Sequence, residues 1–397
     1  MLNVVTKDEA VEIVKSNSLT DLKTEKVNID NALFRILAED IVSVEDIPSF
    51  DRSTVDGFAV KAADTFGAGN AIPSQLEIVG EILMGEKAGF TLENGQCAKI
   101  STGGMLPKGA DAAVMVEHTD CDNSLCLVYK AVSPNENVTK KGDDISVGET
   151  ALKKGTKITS AEIGVLSALG IYEVPVFKKP VIAVISTGDE ITDSTPEDGQ
   201  IRDVNTNLLS SAITEYGCEV YKYGAVRDNK DEIKNALVTC LEKADAVIVS
   251  GGSSAGARDM TVDIIDELGT AYFHGIAMKP GKPTIFGTVL NKPVFGLPGH
   301  PLAAYFVFRL VVAEYIRKML SLPADKPISH GVLKENIPSN HGREEYICIN
   351  KTDNGETVPV HTKSGIISVL GEADGFIKIT RNTEGLPKGT TVEIFEL

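Results

Sequence analysis

Apolar positions change their spacing several times along the chain, and each change marks a new unit. The first residues follow helical spacing and predict a helix over Lys7–Ser16, followed by a second amphipathic segment, NALFRILAED. From about 46 to 146, short alternating runs such as QLEIVGEI and ADAAVMVEH lie between glycines and prolines, the texture of strands joined by turns. Helical spacing returns in 147–179. There Thr159-x-x-Glu162 reads as a capping box, EIGVLSAL carries the apolar face, and Gly170 stands where a helix end favours a left-handed residue. Beyond 180, VIAVIS (181–186) and AVIVS (246–250) are near-continuous apolar runs, the signature of parallel strands covered on both faces. They alternate with the helical stretches NTNLLSSAITEYG, NKDEIKNALVTCLEK and RDMTVDIIDELG, and a long final helix starts at Pro301. After the linker LPADKP (322–327) the chain is β again, with Asn354-Gly355 turning YICINKTD into ETVPVHT as a hairpin. The pattern predicts four units: a discontinuous α+β unit (1–45 and 147–179), a mostly β unit (46–146), a doubly wound α/β unit (180–322) and a C-terminal β unit (323–397).

Composition narrows the partners. Of 397 residues, 42% are hydrophobic and 24% charged, which excludes global disorder. The net charge of −17 argues against nucleic acid or an anionic membrane as a partner held by bulk charge, so an anionic substrate must meet a local cluster of donors. The acidic start, MLNVVTKDEAVEIV, does not read as an export signal, and the longest apolar stretch, 301–316, is broken by Arg309 and Glu314. A cytoplasmic chain is expected. Its six cysteines form no C-x-x-C and are read as reduced, mostly buried thiols. The six histidines show no H-E-x-x-H or tight pairing, so no zinc site is expected.

Open parallel sheets bind ligands beyond the carboxyl ends of their strands. In the third unit those ends carry Thr187-Gly188-Asp189-Glu190, Arg227-Asp228, the Gly-rich run 251–256 with Arg258-Asp259 after it, and Pro298-Gly299-His300-Pro301. The Gly-rich run, with Gly251, Gly252 and Ser254, lets backbone N–H groups approach an anion beside a helix N-terminus, although tight packing explains such a turn as well. It is neither G-x-G-x-x-G nor a G-K-[ST] phosphate loop. Glu190, Asp228 and Asp259 are each explicable singly as acids favoured by a helix dipole. Gathered on one sheet rim, they suggest Mg²⁺ held jointly with substrate phosphates. Lys279 and Lys282, in MKPGKP, form a local positive cluster on what the prolines predict to be a stiff turn. In the second unit, Asp56 of RSTVDGFAV and Thr102 of ISTGG stand in turns whose plain explanation is side-chain capping.

Taken together and in order, RSTVDGFAV, ISTGGMLPKGADAAV, ISTGDEI, DGQIRDVNTNLL, GAVRD, SGGSSAGARD, AMKPGKPTIFG and GLPGHP resemble the molybdopterin molybdenumtransferases, the group that includes bacterial MoeA and the gephyrin E domain. The resemblance runs from about residue 5 to the C-terminus. It implies an elongated four-domain homodimer with an α/β molybdopterin-binding domain and a C-terminal β barrel. The implied reaction is Mg²⁺-dependent insertion of molybdate into adenylylated molybdopterin with release of AMP. A molybdopterin adenylyltransferase is implied as a partner. By position, Asp56, Thr102 and Asp259 match the family's catalytic groups, and Glu190, Asp228 and Asp259 its metal-site acids. Gly251, Gly252, Ser254, Pro298 and Pro301 match substrate-binding positions, and Lys279, Lys282, Arg343 and Ser364 match groups that hold molybdate.

The sequence departs from the family's pattern at His300, Ala303 and Gly275, which leaves tungstate open in place of molybdate. Two other classes also compete: a non-catalytic scaffold like the gephyrin E domain, and a phosphohydrolase sharing the third-unit fold. Because Asp56 and Thr102 lie on the second unit while the chemistry lies on the third, the resemblance implies a site composed across a two-fold interface.

Overall fold

The structure, a computed structural model, describes residues 4–17, 22–122, 124–192, 194–251, 255–360 and 365–397, and of 255–259 the backbone alone. Of the two separated α+β segments, residues 24–41 and 150–176 share one core, whereas the Lys7–Ser16 helix buries Ala10 and Val14 in the cluster of Ile316 and Met319 of the α/β unit. Thr24–Asn28 pairs antiparallel with Glu173–Phe177, and Ile41–Val42 pairs with Thr150–Leu152. Leu37, Ile41, Ile158, Leu166 and Val176 bury together in that shared core. The expected Thr159–Glu162 capping box forms, and Gly170 takes the left-handed conformation just past that helix. NALFRILAED is not a helix: past Asn31 it runs through a turn, with Phe34 left-handed, and bends, and Ile36 and Leu37 bridge Lys157 and Val176 so that their backbones bond outward.

Residues 57–128 build a six-stranded sheet ordered Ala112–Met115, Gly57–Val60, Gln96–Ile100, Ser74–Ile82, Leu125–Val128, Thr119–Cys121. Gly57 is required by close approach: a Cβ there would lie 1.8 Å from the Val114 carbonyl oxygen. All six cysteines are free thiols; five are buried and Cys121 is exposed.

The α/β unit centres on a six-stranded sheet ordered Glu219–Val226, Val181–Thr187, Ala246–Gly251, Lys292–Leu297, Ile285–Val289, Gly269–His274. The first four strands are parallel, and the last two turn back as an antiparallel extension. Alternate residues of one strand enter different cores: Ile182 and Val184 pack under one face, Ala183 and Ile185 under the other. That two-sided burial explains the continuous apolar runs. Strand order reverses between Val181–Thr187 and Ala246–Gly251, which opens a crevice at their carboxyl ends.

The MKPGKP segment departs from the expected turn. Met278–Lys279 forms a two-residue strand parallel to Glu344–Lys351 of the last unit, in register Met278↔Glu344 and Lys279↔Glu345. The C-terminal strands Glu344–Lys351, Glu356–Pro359, Ser329–Leu333 and Thr391–Ile394 lie side by side. Gly375–Ile379 pairs with the first of these, and Phe376 exchanges 2.9 Å backbone bonds with Phe395, so the sheet closes on itself. The expected hairpin forms, with Gly355 left-handed and its N–H donating to Thr352 O.

The long helix from Pro301 is interrupted by a π turn at Phe308–Val312. The two charges that break the 301–316 apolar run belong to a partly buried network. Arg309 and Arg317 both donate to the Tyr216 hydroxyl, at 2.5 and 2.9 Å. Arg317 also pairs with Glu314 at 2.8 Å and with Asp325 of the linker at 2.6 Å, and Lys15 of the first helix reaches Glu314 at 2.6 Å. No described helix is long and apolar enough to cross a membrane. Removing one member of such a network leaves its partners' charges buried and unpaired. Arg317→Met is therefore expected to cost about 3 kcal/mol of stability, read as a lowered thermal unfolding midpoint; an unchanged midpoint refutes the network's structural role.

Candidate active site

Two cavities meet at one loop. The smaller, about 240 Å³, sits in the crevice where strand order reverses, lined by Thr187, Glu190, Asp203, Asn205, Ser250, Gly251, Gly299, His300 and Pro301 among others. The larger, about 880 Å³, lies between the α/β unit and the C-terminal barrel and includes Lys279, Lys282, Pro298, His300, Arg343 and Glu345. His300 lines both.

Local physics builds the crevice. Gly251 ends its strand so close to the neighbour that a Cβ would lie 2.2 Å from Thr187 O. At Gly188 a Cβ would meet the Glu190 carboxylate at 2.9 Å, so the acid folds back over its own turn. Asp203 caps the Val204–Glu215 helix through the Thr206 N–H at 3.0 Å and accepts from Ser186 Oγ at 2.8 Å. Asn205, 8% exposed, donates to Ser250 Oγ and to Gly299 O at 2.9 and 2.8 Å. Its Oδ1 is buried with no donor, an acceptor left for a ligand. Neither Asp203 nor Asn205 was singled out in the sequence; an N-cap Asp two residues before a buried Asn, within DGQIRDVNTNLL, was the available signal.

Asp228 stands beside this crevice. Its N–H donates to Asp189 Oδ1 at 3.3 Å, and its own Oδ1 is buried without a partner. Burial, then repulsion from Asp189 and Glu190, pushes its carboxyl above the usual range. Among the described residues, no group of three or more His, Cys, Asp or Glu gathers closely enough to hold a metal. The Asp259 side chain, Gly252, Ser254 and Ser364 lie outside the described residues.

In the larger cavity, Lys279 pairs with Glu345, whose other oxygen accepts from Ser339 Oγ at 2.8 Å. Lys282 is exposed, and Arg343 Nε is buried without an acceptor. On the second unit, the Thr102 N–H donates to Asp56 Oδ1 at 2.7 Å, so these two distant residues form one exposed turn cluster. It lines neither cavity in the same chain.

Comparison with known proteins agrees with this architecture. Residues 5–170 match the description "MoeA N-terminal region (domain I and II)", 183–318 "Probable molybdopterin binding domain", and 330–397 "MoeA C-terminal region (domain IV)". A Methanocaldococcus jannaschii relative is 36% identical over 387 residues, covering 94% of this chain and 92% of its own. The molybdopterin molybdenumtransferase of Bacillus subtilis is 33% identical, covering 94% and 89%. A solved molybdopterin biosynthesis MoeA structure from Pyrococcus horikoshii shares 40% identity over 99% of both chains, with a TM-score of 0.81. The fold is thus that of a multidomain MoeA protein. The chain belongs to the molybdopterin molybdenumtransferase family.

The acid cluster has a pH signature. A carboxyl whose pKa is raised by folding destabilises the fold where it is ionised. That cost is absent below the ordinary value of about 3.9 and sets in as pH rises through the folded-state value. Asp228→Asn is expected to raise the thermal midpoint of the free protein near neutral pH and to leave it unchanged near about pH 3. A lower midpoint at neutral pH would mean that the charge is already paired.

Proposed function

We propose that the chain inserts molybdate into molybdopterin, taking adenylylated molybdopterin as substrate, requiring Mg²⁺ and releasing AMP in the cytoplasm. The observation that carries this reading is the shared His300: an acid-lined crevice suited to phosphates opens directly beside a cation-lined cavity suited to an oxyanion. Phosphates would lie against the strand end at Gly251, with the pterin end toward Pro298 and Pro301, and the free Asn205 Oδ1 would accept from an N–H or O–H of the substrate. Lys282 and Arg343 supply donors for a tetrahedral oxyanion, molybdate or tungstate.

The donor set fits Mg²⁺, which favours one or two carboxylates completed by substrate phosphates and water. Asp228 offers a buried oxygen without a partner, and Glu190 stands near enough to raise its pKa. Glu190 and Asp228 would hold the ion, with Asp259 at the start of the next helix as a third ligand. When bound, it would neutralise phosphate charge as the pyrophosphate link to AMP is hydrolysed, water supplying the oxygen. A molybdopterin adenylyltransferase would supply the activated substrate. The decisive assay incubates the protein with adenylylated molybdopterin and follows AMP. Release is expected to need both molybdate and Mg²⁺, and release without molybdate would replace this reading with a plain phosphohydrolase.

Asp56 and Thr102 are proposed to act on the partner's crevice in a homodimer. In support, they line neither cavity of their own chain, and Met84, 71% exposed, packs beside Gly103 of the same turn. Ile201, 55% exposed, rims the crevice, so both surfaces suit an apolar contact. Asp56→Ala and Asp228→Ala homodimers are each expected to be inactive. Exchanged mixtures should recover roughly a quarter of wild-type activity, since about half the dimers carry one intact site. No recovery in verified mixed dimers would place both residues in one chain's site.

A further inference from the structure

We propose that Glu345 is a specificity-determining residue of the large cavity: it holds Lys279 as a paired cation, so that among the described lining residues an incoming oxyanion meets two free Lys or Arg charges and not three. The inference rests on the reading of that cavity as the oxyanion site.

Glu345 is the one carboxylate among the described residues lining the cavity, and it is 5% exposed. A buried acid in a pocket for anions opposes binding unless a cation cancels it. Lys279 provides that cation. The backbone imposes the pairing, because the parallel register sets Lys279 beside Glu345 across the joint between the two units. Ser339 Oγ occupies the second carboxylate oxygen at 2.8 Å, which holds the group toward the lysine. Lys282 and Arg343 have no carboxylate partner among the described residues. The described lysines, arginine and carboxylate of the cavity therefore carry a net formal charge of about +2, the charge that balances a tetrahedral dianion.

Three consequences separate this role from a merely structural one. Glu345→Gln keeps an acceptor for Ser339 and frees Lys279, so molybdate should bind roughly tenfold tighter and with a steeper salt dependence. Lys279→Met leaves the acid uncompensated and should weaken molybdate by a similar factor. The double variant removes both charges at once, so its affinity should return to within about threefold of wild type.

The test is equilibrium dialysis of molybdate alone against the full-length protein at two ionic strengths, for wild type, Glu345→Gln, Lys279→Met, the double variant and Arg343→Ala. Tighter binding in Glu345→Gln together with recovery in the double variant supports the proposal. A double variant as weak as Lys279→Met would show that Lys279 itself holds the oxyanion, and would overturn it. Binding that responds to Arg343→Ala but not to Glu345→Gln sinks the role of Glu345 alone. Binding indifferent to Arg343→Ala removes the oxyanion from this cavity, and both readings fail together.

Discussion

The site depends on a short backbone joint. Met278 and Lys279 leave the α/β unit, pair with Glu344 and Glu345 of the barrel, and return to the sheet at Ile285. The Glu344 N–H donates to Ala277 O at 2.9 Å, which extends the joint by one bond. Hydrogen bonds of this kind are geometrically strict, so they fix the register of the barrel against the α/β unit, whose core continues through Phe306 into Tyr346 and Phe376 of the barrel. The 880 Å³ cavity is the space left between the two units, and its cations are contributed from both sides.

A second constraint holds the C-terminal half of the long helix that starts at Pro301. Arg309 and Arg317 converge on Tyr216, while Asp325 of the linker and Lys15 of the first helix complete the network. The helix starts at the His300 loop, where the two cavities meet, and ends at this cluster. The barrel is thus positioned by a strand pairing on one side and by ion pairs near its linker on the other. Packing alone, being non-directional, would leave the angle between the units soft.

Charge in the two cavities is arranged by opposite means. The crevice concentrates acids, and Asp228 carries the cost as a partly buried carboxyl with one oxygen unpartnered. The cavity concentrates cations but includes one buried acid, Glu345, with its own lysine. A net charge of −17 makes such local arrangement necessary, since the protein's overall field repels anions.

Much of this was legible in the chain itself. Two-sided burial leaves no room for polar residues in VIAVIS and AVIVS, so the α/β class and the strand ends that form the crevice followed from the residues. The Gly-rich run from Gly251 announced a close backbone approach, and the capping box at Thr159 and Glu162 marked a helix start, because both are local requirements. Tertiary structure decided the rest. That Lys279 is a strand residue facing a buried acid depends on a register with a segment 66 residues away, and prolines beside it hid the strand. Asn205 looked like an ordinary helical asparagine until Ser250 and Gly299 were brought to its amide, leaving its oxygen bare. The joining of Asp56 to Thr102 through one hydrogen bond has the same origin. Local propensity is written in neighbouring residues, whereas a partner across the fold is chosen by which surfaces the cores bring together.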